Sequence, residues 1–577
     1  MPLAALSTAL ALVAVAQTQE GTAPAQPSAT GQPSTPPPAP RALQRFSVAE
    51  RTAMARITPA AISGPLRFLS DDLMEGRKPG STGADLAVKY LASELEAAGY
   101  LPGVPATPQS PQASFFQPVP LITLHGRVPR QVAFRGNGRE VQLSALNGVD
   151  SELRIDPDAH VEVARVDDAE LVFVGYGIVA PEYGWDDYKD ADVRGKIVVI
   201  MNFNPPFAGE GVRLWYGRWD YKYLTAAAHG AAGALIIHTT ASAGYPWQVL
   251  AASADGTRID LPPGSEHRMQ FQGWVTDDGA KKLAGVVNID LDKLRAEAYR
   301  KSFHPVPMGV RMSLEMPIER KVTPSANVIG VLPGTDPQLK NEAVVFTAHW
   351  DHLGRDANVP PGKDGIYNGA LDNASGCALM LAVARAAKEA PPKRSLFFVF
   401  VTAEEQGLLG SKWFAQHPVI PAGRIAANIN ADSVNKWGRT TDVAMLGLGK
   451  SSLDAVVREV AAEQGRTLHG DPFPDRGAFY RSDQFELARV GVPVVYARGG
   501  PSYVGRPAGW GQQMQEQYER RDYHQVTDEY HGDWDLSGAV QDAQLDLVVG
   551  LRVANAATMP QWTPGDEFEK ARKTAAR

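Results

Sequence analysis

The sequence predicts an α/β protein: a mixed, mostly parallel sheet flanked by helices, interrupted by a β-rich insert. Three observations carry this. Beyond about residue 310, apolar runs of strand length alternate with helical ones, the rhythm of a largely parallel sheet covered on both faces. Between about 131 and 309 the apolar runs are short and end in Gly, Pro and Asp turns, as in a small mixed or all-β module. Ahead of both, "STGADLAVKYLASELEAAGYLPG" (81–103) repeats its apolar residues at helical spacing.

Taken in chain order, the first element is an apolar run, "LAALSTALALVAVA" (3–16), ending in Ala14-Val15-Ala16. A small-x-small ending of this kind suits cleavage before Gln17, so residues 1–16 are expected to be a signal peptide and the mature protein periplasmic or extracellular. Residues 17–45 are rich in Pro, Ser, Thr, Ala and Gln without apolar periodicity, which predicts a disordered tether. Order is expected from residue 46. The 81–103 stretch places Ala87, Leu91, Leu95 and Ala98 on one stripe and stops at Gly99, a helix with a glycine terminator. The insert is read as 131–309, with strands in "LVFVGYGIV", "GKIVVIMNF" and "GALIIH" and a helix in "YKYLTAAAHGAAGA". An aromatic stretch, "RLWYGRWDYKY" (213–223), is equally consistent with a surface lid and with a packed loop. In 310–565, strands are expected in "NEAVVFTA", "RSLFFVFVTA", "RIAANINA" and "GVPVVYARG", with a helix in "SGCALMLAVARAAKEA" between the first two. Residues 566–577 are read as a C-terminal tail.

At 577 residues the chain is too long for one ordinary core. A composition of 44% hydrophobic and 21% charged residues is that of a soluble globular protein. A net charge of −7 argues against a nucleic-acid binder. No second apolar run approaches membrane-spanning length, so stable membrane insertion is not expected. Cys377 is the single cysteine; it excludes an intramolecular disulfide and cysteine-rich zinc sites, and reads as a small core residue. A metal centre here would be built from His, Asp and Glu, the ligand set of hydrolytic zinc enzymes.

The chemistry gathers at strand ends. The first catalytic-part strand ends at His349-Trp350-Asp351-His352, and "GALDNASG" follows with Asp372. The next ends in "TAEEQGLLGS" with Glu404-Glu405, the third in "NINADSV" with Asp432, and a later loop, "YHQVTDEY", brings His524. Carboxylates at successive strand ends converge on one cleft, and so much unpaired negative charge is costly without cations. Two histidines and three carboxylates match two hydrolytic metals sharing a bridging carboxylate. The paired glutamates fit one ligand beside one general base. Asp372 with Asn373, and Glu404-Glu405, have a structural alternative as helix caps; together with two histidines so placed, the set does not.

These motifs, in this order, resemble the M28 family of zinc-dependent exopeptidases, in particular its secreted bacterial aminopeptidases that carry a protease-associated (PA) domain. The resemblance also covers "LRFLSDDLMEGRKPGSTGADLAVKYLASELEAAGY" (66–100), and "GYGIVAPEYGWDDYKDADVRGKIVVI" through "AAGALIIH" is similar to a PA insert. It implies the zinc exopeptidase fold and two Zn2+ ions. One would be held by His349, Asp372 and Asp432, the other by Glu405, His524 and the bridging Asp372, with Glu404 as general base. It also makes His349 the ligand of its motif. Asp351, two residues along a strand and so on the same face, is expected to orient the His349 imidazole, and His352 to point elsewhere. The sequence departs from the family at Ser482-Asp483-Gln484, where relatives commonly show Ser-Asp-His; this puts in doubt any contact made by the third residue.

The activity so implied is removal of the N-terminal residue of peptides. A carboxypeptidase or dipeptidase on the same metal core is the first alternative, with Arg498 in "YARGGPSYVG" as a receptor for a substrate carboxylate. A binding protein that kept the fold without catalysis is the second. The remaining histidines lie outside these motifs and read as structural or surface residues.

Overall fold

The computed structural model describes residues 45–575 apart from 109, 146–149, 159, 210, 252–255, 265–266, 357–358 and 361. The expected signal peptide (1–16) and all but the last residue of the tether (17–45) lie outside the described residues.

Four parallel strands form the centre of the main sheet, in the order Ser395–Val401, Ala343–His349, Ile425–Asn430 and Val494–Gly499. Every residue of the first three is buried, which is why they read as continuous apolar runs rather than alternating ones. Antiparallel strands extend both edges: residues 328–332 beside Ser395–Val401, and Asp442–Leu446 beside Val494–Gly499. The helix Ser375–Ala387 is buried along all its residues except Arg385. It packs against the sheet and against the helices Pro59–Leu69 and Ser537–Asn555. The last of these runs so close to the sheet at Gly550 that a Cβ there would lie 2.4 Å from the Phe346 ring. The expected helix near the start spans Thr82–Ala97; Ser81 caps it by accepting from Ala84 N, Ala87, Leu91 and Leu95 are buried, and Gly99 ends it at φ +78°.

The insert has its own core, centred on Leu171, Phe173, Val199, Leu235, Phe271 and Val275. Its strands Ile197–Met201, Gly233–His238 and Phe271–Thr276 run parallel, and the helix Trp219–Ala228 packs on Gly233–His238. The boundaries at 131 and 309 need correction. Phe116–Gly126 pairs antiparallel with residues 318–328, from Phe116 opposite Val328 to Gly126 opposite Ile318, and the single strand Val306–Leu332 passes from the insert into the main sheet without a break. The insert's core extends to Ile122, Leu124 and Ile318 and its strand Thr257–Asp260 pairs with residues 122–125, so the change of domain falls within this ladder, inside an unbroken strand that carries no turn signal.

The aromatic stretch 213–223 is a packed junction. Tyr216 and Tyr221 are buried, the Trp215 ring lies 5.6 Å from Phe485, and Arg213 N donates to Pro474 O at 3.1 Å. Residues 566–575 are likewise packed rather than a loose tail. Phe568 is buried, and Arg572, on the helix Glu569–Ala575, donates to the carbonyls of Ala422 and Ile425 at 3.1 and 3.0 Å. Cys377 is buried in the core of the helix, its Sγ 3.1 Å from His349 O. Among the described residues, no helix is long and apolar enough to cross a membrane.

Candidate metal centre

Three parallel strands stop at the same end of the sheet, and their following turns form the floor of one cleft. Ala343–His349 delivers His349 as its last residue, completely buried. The His349 ring donates from Nδ1 to the main-chain carbonyl of Asp351 at 3.2 Å, which leaves Nε2 as the lone-pair nitrogen facing the cleft. The strand-alternation reading of Asp351 and His352 fails for a simple reason: the strand has already ended. Asp351 holds the His349 ring mainly through its carbonyl, since its carboxylate is 3.8 Å from Nδ1 and instead accepts from Glu404 N at 3.1 Å. His352 does not point away. It is fully buried, and its Nδ1 lies 2.5 Å from Glu405 Oε1.

Asp372 sits in a turn fixed from two sides. The Asp528 carboxylate accepts from Leu371 N (3.1 Å) and Asp372 N (3.0 Å), and its main-chain carbonyl accepts from Ala370 N at 2.9 Å. Asn373 donates to Ala431 O at 3.0 Å and accepts from Ser433 N at 3.0 Å, so it ties the Asp372 turn to the one carrying Asp432. Glu404 and Glu405 lie on a turn closed by Gly407 N and Leu408 N, both donating to Glu404 O. The next helix starts only at Leu409, and the two carboxylates face the cleft rather than cap it. His524 closes the cleft from above, stacked on Tyr523 with 3.9 Å between ring centroids.

The resulting distances have one pattern. His349 Nε2 is 3.2 Å from Asp372 Oδ1, 3.6 Å from Asp432 Oδ1 and 4.0 Å from Glu404 Oε2. His524 Nε2 is 3.2 Å from Asp372 Oδ2 and 3.0 Å from Glu405 Oε2. Both Nε2 atoms are buried, yet neither is aligned for a hydrogen bond. Two ligands about 2.0–2.2 Å from one ion are separated by about 2.9–3.6 Å at ordinary coordination angles. The nitrogens and oxygens are thus spaced as atoms that aim at a shared cation. The ligand atoms of His349, Asp372 and Asp432 lie within 4.8 Å of one another, as do those of His352, Asp372 and Glu405. Among the described residues, no Lys or Arg forms an ion pair with Asp351, Asp372, Glu404, Glu405 or Asp432.

The electrostatics divide the paired glutamates. Burial pushes the Glu404 carboxyl well above the ordinary range; His349 opposes this, while Asp432, Glu405 and Asp483 add to it. Burial acts on Glu405 too, but His524 and His352 outweigh it and bring the group to about 2. Asp372 is held well below the usual range because its two histidines overcome burial. Burial raises Asp351 to about 7. The two adjacent carboxyls are thus pushed in opposite directions by their surroundings.

Residues 327–548 match the profile of peptidase family M28, and residues 167–265 match that of the PA domain. Residues 327–548 are thus a peptidase family M28 domain. Its PA domain is inserted ahead of most of the M28 domain. Over 122 residues, 21% of this chain, it is 33% identical to Aminopeptidase YwaD of Bacillus subtilis (strain 168), and over 257 residues, 42% of this chain, 25% identical to Leupeptin-inactivating enzyme 1 of Streptomyces exfoliatus. The chain spans 24% of the first relative's length and 51% of the second's. The aminopeptidase from Aneurinibacillus sp. strain AM-1 superposes with a TM-score of 0.50 at 18% identity, covering 88% of this chain and 97% of that one, a likeness of fold.

Within the M28 domain and the segment before it, four positioning residues escaped the sequence reading. Asp528 and Asn373 belong to the strand-end motifs but act on main-chain groups, which no spacing rule reveals. His352 was set aside by the alternation rule. Arg77, fully buried, donates to the carbonyls of Trp350 (2.8 Å), Asn368 (2.6 Å), Gly369 (3.0 Å) and Leu69 (2.5 Å), so it clamps the two turns that carry His349 and Asp372. Gln484 is a buried structural residue: it accepts from Asn430 Nδ2 at 2.9 Å and donates to Phe479 O at 2.6 Å.

Proposed function

We propose that this protein is a secreted two-zinc exopeptidase that releases the N-terminal residue of peptides. His349, Asp372 and Asp432 would hold one ion, Asp372, Glu405 and His524 the other, and Glu404 is the general base. The observation that carries this reading is Asp372, whose two oxygens each lie 3.2 Å from the Nε2 of a different histidine, the arrangement of a carboxylate bridging two ions. The His and carboxylate donors suit zinc. A relative and a solved structure with this fold are also named aminopeptidases. The secreted address rests on the apolar run at 3–16.

Zinc bound at these residues supplies Lewis-acid polarisation of the scissile carbonyl and makes a water acidic near neutral pH. The chain's own part begins with Glu404, 11% exposed and the least engaged carboxylate of the set. It takes a proton from the attacking water and returns it to the leaving amine. Two cations beside it would favour its ionised form, offsetting the burial that otherwise keeps it protonated. His349, turned by the Asp351 carbonyl, and Asp372, held by Asp528, keep the reacting centre in register.

Hydrolysis of a leucine anilide with a free amino group tests the reading, measured after chelation and during stepwise zinc return, beside Glu404→Gln. Recovery at about two zincs per chain, absent in the variant despite zinc uptake, is the expected result; activity without metal would refute it. One observation favours the second polarity. Arg498, the last residue but one of the strand Val494–Gly499, lies on the same face as Tyr496, whose hydroxyl donates to Asp432 O at 3.2 Å, and among the described residues it makes no ion pair. Peptides blocked at one end or the other separate the two: a requirement for the free carboxylate would establish carboxypeptidase action.

A further inference from the structure

The fully buried His352 is outside the ligand set of the proposed function, and its geometry differs from that of the two histidines within it. His349 and His524 keep 3.0–3.6 Å from their carboxylate partners Asp372, Asp432 and Glu405, out of line for hydrogen bonding. His352 Nδ1 stands 2.5 Å from Glu405 Oε1 in hydrogen-bond alignment. Two ligands of one zinc at about 2.0–2.2 Å cannot approach so closely without an angle far below 90°. His352 Nδ1 is therefore a hydrogen-bond donor to Glu405 rather than a ligand atom, while its Nε2, like those of His349 and His524, is buried without a hydrogen-bond partner among the described residues. Its ring is seated firmly. A Cβ at Gly369 would lie 2.5 Å from its Cγ and Cδ2, its ring is 5.7 Å from that of His524 in an edge-on arrangement, and its main-chain N–H reaches Arg77 O at 3.4 Å.

The two carboxylates of the second ion are consequently treated differently. Asp372 presents both oxygens, one to each histidine of the ligand set. Glu405 presents only Oε2, 3.0 Å from His524 Nε2, because Oε1 is occupied by His352. We infer that His352 is a positioning residue that holds Glu405 to single-oxygen coordination and so keeps a coordination position of the second ion available to substrate. Without the Nδ1–H donor, Oε1 is free to swing in and chelate. This inference rests on the two-zinc reading and concerns the same site.

The test is titration of the metal-free full chain with Co2+, followed by visible absorption, with Zn2+ competition for affinity. His352→Leu removes the donor; His352→Asn places an amide N–H where Nδ1 stands. The expected result for His352→Leu is a 10–100-fold weaker second ion, with a weaker absorption band of higher coordination number at that site. His352→Asn is expected to stay within about threefold of wild type in affinity, on the same reasoning. Wild-type affinity and spectrum in His352→Leu would overturn the inference. So would equal losses in both variants, which would make the ring's packing rather than its donor the cause. Should His352→Leu fail to fold, the His352→Asn spectrum still decides, since a changed band in a folded donor-bearing variant contradicts the role. If the wild-type chain binds no Co2+ at all, the two-zinc reading itself falls, and this inference with it.

Discussion

Replacing Arg77 by Met tests whether a residue with no place in the ligand set nonetheless builds the centre. The guanidinium makes hydrogen bonds to four buried carbonyls, those of Leu69, Trp350, Asn368 and Gly369. A buried acceptor left unpaired costs about 1–3 kcal/mol. Partial collapse, and relief of the desolvated charge, reduce the sum, so a net loss of roughly 3–5 kcal/mol is expected, the range for breaking a buried charged interaction. At about 2.1 cal/mol/K per residue, for a unit of several hundred residues that is a fall in melting temperature of roughly 3–7 °C. The second half of the prediction concerns metal. Trp350 adjoins His349 and Gly369 lies three residues before Asp372, so releasing both turns should weaken zinc about 10–100-fold. At saturating zinc this removes about 1.4–2.7 kcal/mol of metal-linked stabilisation. Thermal melts of wild type and variant, metal-free and with a zinc series, measure both terms. A variant that melts within about 2 °C of wild type and gains as much from zinc would refute the clamp; Arg77→Lys, with its charge but no planar fork, should fall between them.

Asp528→Asn, which replaces one acceptor oxygen by a donor against Leu371 N and Asp372 N, should lower zinc affinity about 10-fold; isothermal titration measures it. Gly369→Ala should cost at least 2 kcal/mol, because φ is +52° and the new Cβ would meet Asp372 O at 2.2 Å and the His352 ring at 2.5 Å; denaturant unfolding gives the number. Asp187, in the insert, is pushed up to about 7 by burial. Its folded pKa lies above the unfolded value, so the folded state binds the extra proton and stability should fall as pH rises from about 4 to 7. Asp187→Asn should flatten that slope in melts across the same window, and an unchanged slope would contradict it.

The parallel strands were legible because burial on both faces makes them continuous apolar runs, and the acids at their ends were legible because a cleft gathers strand ends. His349, Asp372, Glu404, Glu405, Asp432 and His524 do come together. The detail around them was not legible. The two-residue alternation that was applied to Asp351 and His352 holds only inside a strand, and the strand stops at His349. Arg77 and Asp528 work through carbonyls and amides of residues more than 150 positions away, contacts that leave no periodic trace. The insert boundary was hidden by the regularity of Val306–Leu332, whose alternating burial continues to Ile318.

The pairing of Gly126 with Ile318 has a mechanical consequence. Everything from residue 127 to 317 departs and returns at adjacent rungs of one ladder, where paired Cα atoms stand about 5 Å apart. The gap left by excising those residues is one that a two-residue turn spans. The connection is also stiff: a paired ribbon of eleven rungs resists bending at a single bond, and its far end runs alongside Ser395–Val401, the strand that leads to Glu404. The insert is therefore joined to the main sheet here by a paired ribbon rather than by a single-chain hinge.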